Sequence, residues 1–218
     1  MSIDTQPIES FQREGGWTTQ QSFYYEAAKR SLQDAIKKKV EIVEKIEELK
    51  AKNLSIEDDF IYRSWFAHET EDERHKLEKM CISAQLFSCM AVEAFLNLYG
   101  VKRLGQDFYK QNIERVGITE KLEILIAIGQ QELLAGGNKL TKLVRSMFDR
   151  RNQLVHPKTK EIRLSEDGKI NWPQIYDELE KAEELVSAMD SFFKLLKELD
   201  PDIAFLTNML FMDSTDLD

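Results

Sequence analysis

Proline and glycine are scarce in this chain, four and nine among 218 residues. Both residue types punctuate turns and irregular segments, so neither an all-β fold nor a disordered polymer is expected of this composition. Cysteine is scarcer still, with Cys81 and Cys89 alone. The two lie eight positions apart in one predicted helix, a rise of about 12 Å, beyond the reach of a disulfide. Both read as small core residues of a reducing compartment. No uninterrupted apolar stretch has the length of a membrane span. The opening segment, Met1 to Gln20, carries acids and a Gly15-Gly16 pair where a signal peptide or anchor would carry an apolar run. A cytoplasmic protein without a membrane partner is expected.

Net positive charge is missing as well. The formal charge is −9 at pH 7, which excludes general electrostatic coating of nucleic acid. One segment departs from that average. Between Lys139 and Lys160 stand Lys139, Lys142, Arg145, Arg150, Arg151, Lys158 and Lys160, with Asp149 the only acid.

What the chain has in quantity is charge, 32%, and hydrophobic residues, 42%, arranged at helical spacing. A first helix is predicted from Gln20 to about Lys52, with an inward stripe of Phe23, Ala27, Leu32, Ile36, Val40, Val43, Ile46 and Leu49. An acidic connection through Asp58 and Asp59 follows, holding the aromatic cluster Phe60, Tyr62, Trp65 and Phe66. Thr70 and Glu73 have capping-box spacing, so a second helix should start there and run to Tyr99, before Gly100. Its later half is apolar nearly all round and should be central. Val101 to Gly117 reads as irregular, and a third helix follows from Thr119 with Leu122, Leu125, Ile126 and Ile128 inward. Gly136-Gly137-Asn138 breaks the chain before a fourth helix from Lys139 to His156, where Pro157 disfavours helical geometry in the preceding residue. A fifth helix runs from Pro173 to Leu199, and a short one from Pro201 to near Phe211. The expected fold is all-α, an antiparallel bundle of four to five long helices with room for a small hairpin at 161–172. Residues 1–19 are expected to be a flexible N-terminal segment, 20–211 a single helical domain, and 212–218 a flexible acidic tail.

The fourth helix carries the chemistry. Its core stripe, Leu140, Leu143, Val144, Met147, Phe148, Leu154 and Val155, includes Arg151. An arginine directed inward needs a partner, because one unpaired buried ion costs several kcal/mol, on the order of its desolvation penalty. Glu93, on the stripe Ile82, Leu86, Met90 and Leu96, is the candidate partner; the alternative is that Arg151 keeps its stem on the core and its head in solvent. Asn152 and His156 stand four apart on one face, with Asp149 seven before His156. An imidazole can take the proton of a ribose 2′-hydroxyl, and a guanidinium can stabilise the charge that gathers on the attacked phosphate. A histidine near a helix C-terminus can also serve only as a cap. Arg63 and His68 repeat the Arg-to-His spacing, but they precede Glu69, Glu71, Asp72 and Glu73, which repel phosphate. His68 and His75 read as solvated helix-start residues rather than as a metal site.

Arg151-Asn152-x-x-x-His156-Pro157 at the end of a late helix, preceded by Ala91-Val92-Glu93-Ala94-Phe95-Leu96-Asn97 on a central one, resembles the HEPN superfamily of small helical domains. The resemblance spans roughly Gln20 to Leu199, and these two segments carry it. It implies a metal-independent endoribonuclease with no cofactor, its cleft shared by the two copies of a homodimer. By position it implies Arg151 as the phosphate-stabilising residue, His156 as acid/base and Asn152 as the polar positioning residue. Glu93, Arg150 and Asp149 stand as supporting residues, and Lys142, Arg145 and Lys158 as RNA-binding ones. An antitoxin or regulatory protein is a further partner the resemblance allows. A non-catalytic helical interaction module remains the alternative.

Overall fold

The computed structural model describes residues 20–52, 65, 68–130, 138–156 and 175–203. Those residues form α1 (Gln21–Lys52), α2 (Glu71–Leu104), α3 (Gln106–Asn112), α4 (Ile118–Gln130), α5 (Lys139–Val155) and α6 (Ile175–Leu199), closed by a 3₁₀ turn at Pro201–Ile203. The fold is all-α, with no strand among the described residues. The expected hairpin at 161–172, the terminal segments 1–19 and 212–218, and all of the aromatic cluster except the half-buried Trp65 lie outside them.

α2 is central. Its buried residues, including Leu77, Cys81, Ala84, Cys89, Val92, Phe95, Leu96 and Tyr99, point in nearly every direction, so neighbours pack around it. The contacts set their sense. Lys45 of α1 meets Glu73 at 3.0 Å while Tyr24 stacks on Phe87, so α1 runs antiparallel to α2. Arg150 of α5 meets Gln85 and Met147 meets Cys89, so α5 is antiparallel too. α6 runs in the same sense as α2, Glu178 lying at Gln85 and Phe192 and Phe193 at Phe95. α4 also follows α2, with Lys121 at Asn97 and the Leu125 carbonyl at Tyr99. The bundle therefore mixes antiparallel and parallel neighbours.

Three expectations are corrected. Half of the stripe predicted for α1 faces solvent: Phe23 is 64%, Ile36 41%, Val40 51% and Val43 43% exposed, while Ala27, Leu32, Ile46 and Leu49 are half-buried and Leu32 and Ile46 pack against the core. Instead Tyr25, Ala28, Ala35 and Ile42 are buried. The two faces are similarly apolar, and the one carrying two alanines lets the neighbouring helices approach more closely. Tyr25 fixes the choice, donating from its hydroxyl to Asp190 of α6 at 2.7 Å and setting its ring edge-on to Phe193. The expected capping box at Thr70 forms no side-chain cap bond, because Glu73 reaches Lys45 instead.

The third correction concerns Gly100. It does not stop α2, which continues to Leu104; a Cβ at this position would collide with the Tyr109 ring, so the glycine serves close packing of α3 on α2. The helix ends at Gly105, whose φ of +77° is open to glycine alone at little cost. Val101 to Gly117, expected to be irregular, thus holds the last turn of α2 and all of α3. By length and hydropathy α2 could cross a membrane, but 56% of its most apolar window is buried within the bundle, as befits a core helix.

Candidate functional site

α5 starts where Asn138 accepts the Leu140 N–H on its side-chain oxygen at 2.7 Å, the N-cap that its residue type favours. Leu140, Val144, Met147 and Phe148 then bury one face. The helix stops at His156, whose φ of −123° and ψ of 66° are non-helical and whose N–H still donates to the Asn152 carbonyl at 2.9 Å. Pro157, next in sequence, excludes another turn.

Along this helix the expected site residues separate into two groups. Asn152 and His156 are exposed, and Arg151 is half-buried with its guanidinium over the Phe148 ring, 5.9 Å from the centroid. All three reach solvent. Counted along a regular helix, Asn152 and His156 lie about 40° apart, whereas Arg151 and His156 diverge by about 140°. By that count one copy of the chain sets Arg151 and His156 on different sides of the helix end.

Arg150 points inward instead. Its Nη2 donates to Glu178 of α6 at 2.5 Å and its Nε to Gln85 of α2 at 2.8 Å. Gln85 in turn donates to Glu178 at 3.2 Å and to the Cys81 carbonyl, also at 3.2 Å, and Lys181 donates to Glu178 at 3.0 Å. Burial works to raise the Glu178 carboxyl, but the bonds from Lys181, Gln85 and Arg150, with the Arg150 charge, outweigh it and hold the group below the usual carboxylate range. Outside this knot, Lys142, Arg145 and Asp149 are exposed and line a groove of about 420 Å³ between α5 and α6, which Lys181 and Glu184 share. Lys158 lies outside the described residues.

No ion pair joins Glu93 to Arg151, and the register explains why. Cys89 Sγ sits 3.4 Å from the Met147 carbonyl, and the helices are antiparallel. Glu93 is four residues beyond Cys89 and Arg151 four beyond Met147, so the two recede to about 12 Å apart along the helix axes. Both charges still act on the buried Cys89 thiol, which burial pushes up to about 12, with Arg151 opposing and Glu93 adding. Cys81 is likewise buried and pushed up to about 11 by burial and then by Glu178, so neither thiol is an activated nucleophile. His68 and His75 are both exposed, and His68 Nδ1 lies 3.8 Å from Glu71.

Glu93 belongs to a second region, between the start of α1, α2 and α3. There Asn97 Oδ1 accepts from the Tyr109 hydroxyl at 2.6 Å and from the Lys121 ammonium at 2.8 Å, while Lys121 also donates to the Glu114 carbonyl at 3.1 Å. Burial, then the charges of Glu114 and Glu93, keeps the Tyr109 hydroxyl protonated well above the ordinary tyrosine range. Burial pushes Lys121 down, opposed by Glu93 and Glu114.

Sequence reasoning passed over Gln85, Glu178 and Lys181 around Arg150, and Tyr109 and Lys121 around Asn97. A signal existed for Gln85, a long amide in an otherwise apolar stretch of a central helix, where buried polar atoms need partners. Glu178 and Lys121 are acid and base among many on helices, and their partners lie 93 and 24 residues away. No protein-family model, curated protein or solved structure matches the chain.

Proposed function

We propose that the chain is a metal-independent endoribonuclease of HEPN type, with a cleft assembled from the α5 ends of two copies. The observation that carries this reading is the exposure of Asn152 and His156, with Arg151 reaching solvent beside them, at the end of the basic helix of an acidic protein. His156 takes the proton from a ribose 2′-hydroxyl as its oxygen bonds to the adjacent phosphorus, the P–O5′ bond breaks to leave the 2′,3′-cyclic phosphate, and the protonated imidazole returns the proton to the departing 5′-oxygen; Arg151 stabilises the charge on the phosphorus oxygens, and Asn152 orients the phosphate. Because Arg151 and His156 diverge within one chain, the imidazole of one copy works with the guanidinium of the other. Lys142 and Arg145, exposed one to three turns back along the same helix, attract the flanking backbone. The Arg150–Glu178–Gln85 knot holds the helix end in place from inside, which makes Arg150 a support and not a second phosphate ligand. The setting is a cytoplasmic toxin or antiviral defence, with an antitoxin or regulatory protein to restrain it.

The test uses purified protein and RNA in EDTA. Wild type should leave 2′,3′-cyclic phosphate ends; His156→Ala and Arg151→Ala should each be inactive, and a mixture of the two variants should regain part of the activity through mixed dimers. Equal cleavage by all three proteins, or none by wild type, refutes the proposal.

One observation favours a second reading, a non-catalytic interaction module. Arg151 lies over Phe148, and Val155, 45% exposed, adds an apolar surface between it and His156. An inactive wild type whose self-association is weakened by Val155→Asp supports that module.

A further inference from the structure

The cavity beside Glu93 has the size and lining of a small-molecule site. It measures about 470 Å³, within the range of roughly 300–1,000 Å³ typical of ligand pockets. Met90, Ala94, Leu98 and Val101 give it an apolar wall along one side of α2. Tyr24 and Tyr109 bring two aromatic rings to it, and both are fixed: Tyr24 stacks on Phe87 at 6.1 Å and Tyr109 is 2% exposed.

Its polar groups decide what it would take. The Tyr109 hydroxyl is spent on Asn97 and the Tyr24 hydroxyl on Gln20, at 2.6 and 2.5 Å. The Lys121 ammonium, 3% exposed as a residue, turns to Asn97 and to the Glu114 carbonyl instead of forming part of the wall. Lys110 and Glu114 are exposed at the rim, where water screens them. Glu93 alone among the charged lining groups is half-buried, and no hydrogen bond or ion pair reaches its carboxylate from the described residues. The Lys121 ammonium acts on Glu93 only through space, because it donates to Asn97 and the Glu114 carbonyl, so the Glu93 oxygens are left to a donor that enters from the cavity. An anion would face Glu93, with one ammonium, Lys110, exposed at the rim and the other, Lys121, turned to Asn97 and the Glu114 carbonyl.

The geometry points to a binding site for a small organic ammonium ion, its charged head on Glu93 between the Tyr24 and Tyr109 rings and its apolar stem along Met90, Ala94, Leu98 and Val101. Of the two rings, Tyr24 is half-buried and stacked on Phe87, and Tyr109 already carries the Lys121 ammonium 5.5 Å from its centroid, so the rings wall the head in and Glu93 supplies the attraction. The site is separate from the α5 terminus and stands or falls independently of RNA cleavage.

The test is a charge-reversed pair of probes of equal stem, hexylammonium and hexanoate, titrated into the full chain while the tyrosine and methionine methyl NMR signals are followed. Hexylammonium should bind saturably in the millimolar range and shift Tyr24, Tyr109 and Met90 signals, with hexanoate at least about tenfold weaker. Glu93→Gln, isosteric and checked for fold by circular dichroism, should weaken hexylammonium about tenfold or more, the scale of one charge-assisted hydrogen bond. Ala94→Trp, which fills the cavity and leaves Glu93 in place, should abolish binding. Hexanoate binding as tightly as hexylammonium, absence of saturable binding by wild type, or hexylammonium affinity unchanged in either folded variant overturns the inference.

Discussion

Removing Glu178 should destabilise the protein more than removing Arg150, although the two are ion-pair partners. Their side chains are 22% and 18% exposed, between the surface regime of about 0–1 kcal/mol and the buried regime of about 3–5 kcal/mol for breaking a pair. Glu178 accepts from three residues, Arg150, Gln85 and Lys181. Its truncation to alanine leaves the half-buried guanidinium with the Gln85 and Gln153 amide oxygens but no carboxylate, and the Gln85 amide nitrogen with the Cys81 carbonyl alone, for a loss of about 2–3 kcal/mol. Arg150→Ala leaves Glu178 two donors and costs Gln85 one, for about 1–2 kcal/mol. Urea denaturation followed by circular dichroism gives both values, and the double variant gives their coupling, expected at about 1–2 kcal/mol. An Arg150→Ala loss equal to or above the Glu178→Ala loss, or a coupling within about 0.5 kcal/mol of zero, would show that the knot does not act as one unit. The knot also has a pH signature. The Glu178 carboxyl is held below its ordinary range when folded, so its contribution is complete above the unfolded value of about 4.3 and is lost as pH falls through the lower folded value. The stability gap between wild type and Glu178→Gln should therefore close on acidification from pH 6 to pH 3.

Four further substitutions probe the packing. Asp200 is fully buried and accepts two bonds from Arg103 Nη2, at 2.8 and 2.7 Å, and one from the Tyr99 hydroxyl; Asp200→Ala should cost about 3–5 kcal/mol in a thermal or urea melt. Gly100→Ala should lower the melting temperature, because a clash with the Tyr109 ring of about 1–3 kcal/mol exceeds the gain of up to about 1 kcal/mol in helix propensity. On α1, Val40→Ser should change stability by less than about 0.5 kcal/mol while Ala35→Leu costs about 1–3 kcal/mol, the reverse of what the predicted stripe implies.

The helices were legible because helical periodicity is a local property. α1, α5 and α6 fall within a residue or two of their expected bounds, and the Leu140–Val144–Met147–Phe148 face of α5 is the one that packs. What failed was pairwise. α1 offers two apolar stripes, and choosing between them needs the knowledge that Asp190 waits for Tyr25, 165 residues away. Gly100 looks like a terminator until Tyr109 is seen lying on it. The α5 residues that end near solvent, Asn152 and His156, were readable because Pro157 stops the helix; the partner of the inward arginine was not.

Adjacent arginines on one helix meet different surroundings. Arg150 and Arg151 differ by about 100° around the helix, enough to send one between α2 and α6 and to leave the other over Phe148. Which one turns inward depends on what the neighbouring helices offer, and α2 offers Gln85 where α6 offers Glu178. Glu93, the carboxylate that sequence spacing nominated, lies on the far side of Cys89 because α5 descends as α2 ascends. A parallel α5 would have brought Glu93 and Arg151 level, four residues beyond the Cys89–Met147 contact on each helix. The sense of one helix thus determines whether Glu93 and Arg151 meet. Arg151 and Glu93 therefore stand apart, one at a cationic helix end open to solvent and the other in a separate hollow, and a variant in one is expected to leave the other unchanged.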